Sequence, residues 1–188
     1  MVERVIAAGA RVFAEAGYAA TTTNRIASEA GVSVGSLYQY FPNKDAIVAE
    51  LIRRHVNEGV VEISSRLADP SVQSRTLAER IRIFVGVTVA IHHDSPALHR
   101  VLFEEAPHTP DMLHELRKFE IDTVRAVQLL LAEDPEVHVR DVGLAAYLTV
   151  TSIESITHRY VSAHPGGFDA EVLVDELSAL VCAYLSGP

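Results

Sequence analysis

Residues 22–44 read TTNRIASEAGVSVGSLYQYFPNK, and this stretch decides the fold. Thr22 or Thr23 supplies an N-cap oxygen to a helix that runs through Ile26, Ala27 and Ala30. Gly31 follows as a left-handed C-terminal residue. Ser33 caps a short third helix reaching to about Tyr40, Pro42 breaks it, and Asn43 caps a fourth. Two short helices around a tight turn have helix-turn-helix spacing. Such a unit needs a small residue where the helices cross, and Ala27 stands there. It also needs apolar residues that lock the second helix onto the first, and Val32 and Leu37 provide them. Ile26 and Ala30 face the same core, and Val12, Phe13 and Phe41 complete it from beneath.

The pattern outward from this stretch is helical. Before it, Val5, Ile6, Gly9, Val12, Phe13 and Ala16 share one helix face, ended by Gly17-Tyr18. After it, Ile47, Val48, Leu51, Ile52, Val56, Ile63 and Leu67 keep the 3.6-residue period as far as Asp69-Pro70. Gly59 inside this fourth helix costs about 1 kcal/mol relative to alanine, so packing must hold it. Further helices are expected over 71–93, 96–106, 110–133, 138–163 and 169–186. Asp94-Ser95-Pro96, Pro107 to Pro110, Asp134-Pro135 and His164-Pro165-Gly166-Gly167 punctuate them. The fold class is therefore all-α, with about nine helices. The β-branched run Val85–Ile91 sits inside a helical period.

The 188 residues include one cysteine, Cys182, which excludes an intrachain disulfide framework and reads as a small apolar core residue. No apolar run is long enough for a membrane span, and no secretory signal is read at the N-terminus, so a cytoplasmic location is expected. The net charge of −9 argues against a nucleic-acid partner only while it is treated as one number. Residues 1–54 hold six basic and five acidic residues, whereas residues 55–188 hold ten and twenty. The acidity, like all nine histidines, belongs to the second part of the chain.

Four segments carry a family resemblance: Phe13-Ala-Glu-Ala-Gly-Tyr18, Thr22-Thr-Asn-Arg-Ile-Ala27, Ala30-Gly-Val-Ser-Val-Gly-Ser-Leu-Tyr38, and Tyr40-Phe-Pro-Asn-Lys44. Together they closely resemble the DNA-binding domain of TetR-type transcriptional regulators, over about a quarter of the chain. The resemblance implies a helix-turn-helix domain at 1–46, with Leu37 buried. It also implies a helical effector-binding and dimerisation domain at 47–188, joined to the first by the long fourth helix. The implied function is a homodimeric repressor released from a palindromic double-stranded DNA operator by a small-molecule effector. No enzymatic activity, cofactor, metal or membrane partner is expected.

The residue chemistry assigns parts to this scheme. Thr22 and Thr23 put hydroxyls and amides at a helix start, where phosphate is favoured, and Lys44 does the same at the fourth helix. Tyr38 and Tyr40 offer hydroxyls at the groove edge, with Tyr38 equally readable as a packing residue. Ser33, Val34, Gly35, Ser36 and Gln39 form the exposed face of the recognition helix. Gln39 suits adenine, Val34 a thymine methyl, and Arg25, beside Asn24, a guanine. Arg25 could instead pair with Glu29 one turn on. On the helix at 138–163, Tyr147, Thr151, Glu154 and His158 fall within an arc of about 60°. They read equally as a pocket wall or as an ordinary solvent-facing or interface stripe, with Phe84, Thr88 and His92 lining another candidate wall and Phe103, Leu116 and Phe119 adding apolar surface. Glu104, Glu105, Glu154 and His92 hint at a polar or cationic effector. Ile153, Ile156 and Tyr160 with Leu173, Leu177, Leu180 and Tyr184 are expected to dimerise as a four-helix bundle. Gly31-Val-Ser-Val-Gly35 matches the nucleophile elbow G-x-S-x-G, but that motif needs a preceding strand, and a helix precedes it here. The crowded histidines show no H-E-x-x-H and no paired His spacing of a metal site.

Overall fold

The structure, a computed structural model, describes residues 1–163 and 169–187. The expected turn at His164-Pro165-Gly166-Gly167 lies outside the described residues. Among those residues are ten α-helices and no strand. They are α1 (Val2–Ala20), α2 (Thr23–Glu29), α3 (Val34–Tyr38), α4 (Lys44–Ala68), α5 (Pro70–Gln73), α6 (Leu77–His93), α7 (Pro96–Arg100), α8 (Pro110–Ala132), α9 (Val142–Ala163) and α10 (Ala170–Leu185). A π-helical turn over Val101–Glu105 continues α7.

Local chemistry explains where these helices depart from the sequence pattern. The helix expected over 71–93 is two, α5 and α6. Thr76 and Glu79 form a capping box, each side chain bonding the other's backbone N–H, and so start a new helix at Leu77. The helix expected from residue 138 begins only at Val142. The Asp141 carboxylate accepts from the Leu144 amide at 3.0 Å, while the His138 amide donates to Leu185 O at 2.7 Å. The first helix breaks at Gly17, whose φ of 75° and ψ of 172° are not helical, and then resumes as far as Ala20.

The chain forms two compact units. The first joins Met1–Asn57 to Ser95–Met112 and so reaches beyond the residues 1–46 expected for the N-terminal domain. In it α1 packs against α2, against α7 and against the π-helical turn. Phe13, Ile26, Leu37 and Ile47 are each fully buried, and Val101 and Leu102 of the π turn are buried too. Burying one such side chain contributes about 1.5–3 kcal/mol. Gly9 must stay small, because a Cβ there would meet Ile47 Cγ2 at 2.9 Å.

The second unit comprises Glu58–Asp94 and Leu113–Pro188. Leu77, Ile81, Phe84, Val85 and Val89 on α6 recur at helical spacing. They pack in one core with Ala145, Ala146, Val150 and Ile153 on α9 and Val174, Leu177, Val181 and Leu185 on α10. Cys182 packs partly buried against this core, and burial pushes its thiol up. Asp169 caps α10 by accepting from the Glu171 amide at 2.8 Å. No helix of the described residues is long and apolar enough to cross a membrane.

Candidate nucleic-acid interface and effector site

The helix-turn-helix forms as its residues dictate. Thr22 Oγ1 accepts from the Arg25 amide at 3.2 Å and so caps α2. Gly31 turns the chain at φ 63°, and the Val32 amide donates to Ala27 O at 3.0 Å. Ser33 Oγ accepts from the Ser36 amide at 3.0 Å, which starts α3. Leu37 is fully buried beneath that helix. Above it, Ser33, Val34, Gly35, Gln39 and Tyr40 are exposed, with Ser36 half-buried. The expected reading face is therefore a small-residue surface flanked by polar groups, which lets a helix approach a groove closely.

Several of the expected contact residues have side-chain partners within the chain. The Tyr38 and Thr23 hydroxyls lie 3.0 Å apart and tie α3 to the start of α2, although Tyr38 is about half exposed. Arg25 reaches Glu15 at 3.0 Å, not Glu29, which instead accepts from Arg11 at 3.0 Å. The bend at Gly17 closes α1 onto the next helices, so tertiary neighbours displace the i+4 partner. Lys44 donates from Nζ to Tyr18 O at 2.7 Å and to Thr21 O at 3.1 Å. Its ammonium also lies 4.0 Å from the centre of the Tyr18 ring. Two of its three N–H groups thus satisfy carbonyls at the end of α1.

Around this anchor the sequence reading missed a network. The Tyr18 hydroxyl donates to Asp45 in the first turn of α4, and its ring stacks on Phe13 with centroids 6.4 Å apart. Burial, then the Asp45 carboxylate, push the Tyr18 phenol up to about 12. The Tyr18 amide donates to Glu105 Oε2 at 2.9 Å, and Glu105 also pairs with Arg100 at 3.2 Å. Glu105, read as a hint of a cationic effector, is thus an anchor for the broken end of α1. Farther along α4, Arg53 and Arg54 both bind Glu50, and the Arg53 hydrogen bonds lead in holding its carboxyl down to about 2. Arg54 also grips Glu3 of α1 at 2.6 Å.

In the second unit the expected pocket residues separate. Thr88 is buried and its hydroxyl donates to Phe84 O at 2.9 Å. His92, one turn on, places Nδ1 2.7 Å from Thr88 O. Its Nε2 lies 3.6 Å from Glu154 Oε2, and His158 Nε2 lies 3.5 Å from the same oxygen. The two imidazoles meet edge-on, with centroids 4.5 Å apart. Burial lowers the His92 pKa, opposed by Glu154. Thr151, Leu116 and Phe119 are half-buried, but Tyr147 is 47% exposed. The stripe on α9 is therefore a border that surfaces at its N-terminal end, and Tyr147 does not stand in an enclosed wall. Phe103 belongs to the first unit, its ring 5.6 Å from that of His55 and 4.7 Å from that of His99.

A cavity of about 70 Å³ lies elsewhere in the second unit. Leu67, Leu77, Ile81, Phe84, Val127 and Leu131 provide most of its apolar lining, and Arg80, Asp134 and Thr149 its polar part. Arg80 pairs with the buried Asp134. Thr149 Oγ1 and Arg80 Nε are buried without a hydrogen-bond partner.

The comparisons with known proteins agree with both units. Residues 5–51 match the model of bacterial regulatory proteins of the tetR family, and residues 76–185 match that of the tetracyclin repressor-like C-terminal domain. The chain belongs to the TetR family. The uncharacterized HTH-type transcriptional regulator YerO of Bacillus subtilis is 23% identical over 95% of the chain and 61% of its own length. The chain thus spans about three fifths of that relative. Among solved structures, the fatty acid degradation regulator FadR of Bacillus halodurans superposes with a TM-score of 0.74 at 22% identity, covering 98% of this chain and all of that one. FadR of Bacillus subtilis, solved in complex with stearoyl-CoA, gives 0.75 at 18% over 98% of this chain and 100% of its own. The relatives just named are regulators, and the serine of this chain's G-x-S-x-G segment serves as the cap of α3.

The expected dimer residues of this TetR-family chain divide in two. Ile153 and Leu177 lie in the chain's own core, and Tyr160 is buried as well. Ile156, Leu180 and Tyr184 are exposed, and Leu173 is half-buried. Leu144, Leu148 and Val172, which the sequence reading left out, are exposed on the same two helices. The 3.6 period gives α9 and α10 two apolar faces each, and sequence alone does not say which face turns inward.

Proposed function

We propose that this TetR-family chain is a homodimeric, effector-responsive repressor that releases a palindromic DNA operator when a small molecule binds its second unit. One observation carries the DNA-reading part: Ser33, Val34, Gly35, Gln39 and Tyr40 stand exposed over a fully buried Leu37. In this reading Gln39, Val34, Asn24 and Arg25 address base edges. Thr22, Thr23, Ser33, Ser36, Tyr38 and Tyr40 address the backbone around the close approach at Gly35. Arg25 exchanges Glu15 for the DNA. Lys44 acts as the anchor that holds the end of α1 in place.

The exposed Leu144, Leu148, Ile156, Val172, Leu180 and Tyr184 support a homodimer through α9 and α10, since large apolar side chains left exposed on two helices are the material of an interface. A dimer presents two recognition helices to half-sites about 34–36 Å apart. The effector is an apolar molecule with one hydrogen-bond acceptor, received by the cavity lined by Phe84, Ile81 and Val127 and addressed by Thr149. An apolar effector replaces the polar or cationic one expected from the acidic residues. The stearoyl-CoA held by the Bacillus subtilis FadR carries such an apolar portion. At about 70 Å³ the cavity is half the size of one that accepts benzene, roughly 150 Å³, so the effector selects an expanded state. α4, shared by both units, delivers that expansion to the reading head.

Selection of bound sequences from a random DNA pool tests this reading. An enriched palindrome, lost when an apolar effector is added, is expected. The absence of sequence-selective binding at low salt overturns it.

A further inference from the structure

His92 near the end of α6 and Glu154 and His158 one turn apart on α9 bring two imidazoles and a carboxylate to one point of the second unit. One donor atom from each lies within 4.8 Å of the other two. The separations of 3.5 and 3.6 Å to Glu154 Oε2 are too long for N–H···O bonds, whose usual range ends at about 3.2 Å. They match the edge of a tetrahedron instead. With metal–ligand distances of about 2.0–2.1 Å, tetrahedral ligands stand roughly 3.3–3.4 Å from one another.

The second sphere points the same way. His92 Nδ1 lies 2.7 Å from the carbonyl of Thr88 and therefore carries the proton in the neutral ring. Nε2 then directs a lone pair toward Glu154. A backbone carbonyl on the far nitrogen is the usual device that orients a metal-bound imidazole and fixes its tautomer. Thr88 is in turn held by its own hydroxyl on Phe84 O at 2.9 Å, so the carbonyl stays within an ordered helix. Lone pair facing carboxylate is repulsive, and a cation between them removes the repulsion.

We propose that His92, Glu154 and His158 are the protein ligands of a divalent transition-metal ion of the zinc class. Two nitrogens and one carboxylate oxygen are a donor set that such an ion takes in preference to magnesium or calcium, which favour oxygen alone. Three protein ligands leave a fourth position for water or for a donor atom of a bound small molecule. The sequence concealed the site because His92 and Glu154 lie on different helices. The spacing rules search for ligands within one segment, and here only Glu154 and His158 share one.

The test uses the full chain without a polyhistidine tag, stripped of metal and titrated with Co²⁺, then with Zn²⁺. One Co²⁺ per chain, with visible bands of a low-symmetry four- or five-coordinate ion that Zn²⁺ displaces, is expected. His92→Gln and Glu154→Gln should each weaken binding by more than the roughly tenfold to hundredfold expected of a residue that merely supports a ligand. His93→Gln and His114→Gln, at exposed positions, should leave it unchanged. Circular dichroism reports whether each variant keeps its helices. Should either fail to fold, X-ray absorption of the Zn²⁺-loaded wild type decides, with two imidazoles and one carboxylate expected. Unchanged affinity in folded His92 and Glu154 variants, or an all-oxygen shell, overturns the proposal.

Discussion

In the first unit the polar side chains assigned to DNA stand on the surface, over a core of Phe13, Ile26, Leu37 and Ile47. Thr21 and His99 are its buried polar residues. The second unit instead buries Thr88, His92, Asp134, Thr149, Thr157 and Ser178, some with no hydrogen-bond partner for the side chain. Burying an unpartnered polar group costs about 1–3 kcal/mol. A unit that only had to be stable would shed that cost. On the proposed reading, the difference teaches that a head that reads DNA needs rigidity beneath and chemistry outside, while a body that receives an effector holds its chemistry inside.

The largest test removes the head's support. Leu37→Ala should cost about 2–5 kcal/mol, the range for truncating a buried leucine, and abolish DNA binding. Thermal unfolding followed by circular dichroism should show the first unit melting early, with much of the helix signal retained. A single undiminished transition would break the comparison.

Lys44→Ala comes next. It leaves Tyr18 O and Thr21 O without their donor, so about 1–3 kcal/mol of head stability should go, with DNA affinity falling alike on every sequence. Salt titration separates the two roles of Lys44. A phosphate ligand lowers the slope of log affinity against log salt by about one. An anchor leaves the slope nearly unchanged, and that is the outcome expected.

In the body the sign reverses. Thr149→Val replaces an unpartnered buried hydroxyl by a methyl of similar size, so stability should rise by about 1 kcal/mol while the effector response weakens. Chemical denaturation measures the first and effector-induced release from DNA the second. A loss of stability would show that the hydroxyl has a partner in solution.

Gln39→Ala, on the exposed face, should shift stability by less than about 0.5 kcal/mol while relaxing preference at one base pair by about 1–3 kcal/mol. The smallest effect is a pH dependence. The Glu50 carboxyl, held at about 2 by Arg53 and Arg54, lies below its ordinary 4.5. A depressed carboxylate stabilises the fold above its unfolded pKa and loses that contribution as pH falls through the folded value. The stability of the first unit should therefore decline gently between pH 4.5 and 2, and Glu50→Gln should flatten that decline.

Legibility differed between the two regions for a physical reason. Thr22, Gly31, Ser33 and Leu37 could be read because caps, a left-handed turn and a core lock depend on neighbours a few residues away. The actual partners of Arg25 and Lys44 are not legible locally, because Glu15, Thr21 and Tyr18 lie 10 to 26 residues distant, whereas the sequence offers Arg25 only Glu29 one turn on. Ile153 and Leu177 were expected on the dimer face together with Ile156 and Leu180, since nothing local distinguishes an outer apolar face from an inner one. The capping box at Thr76 and Glu79 is a local signal that separates α5 from α6 within the single helix expected over 71–93.

By itself, then, the sequence determined an all-helical chain that begins with a helix-turn-helix and has its acidity concentrated after residue 54. Periodicity, capping and turn chemistry act over one or two turns, and charge is simply counted. Only the tertiary structure decided that residues 95–112 return to pack in the first unit, with Glu105 holding the broken end of α1. It alone turned Ile153 and Leu177 inward and left Ile156 and Leu180 outside. It alone joined His92 to Glu154 across 62 residues of chain. Those outcomes depend on which helix faces meet, a property of packing between distant segments that no local pattern encodes.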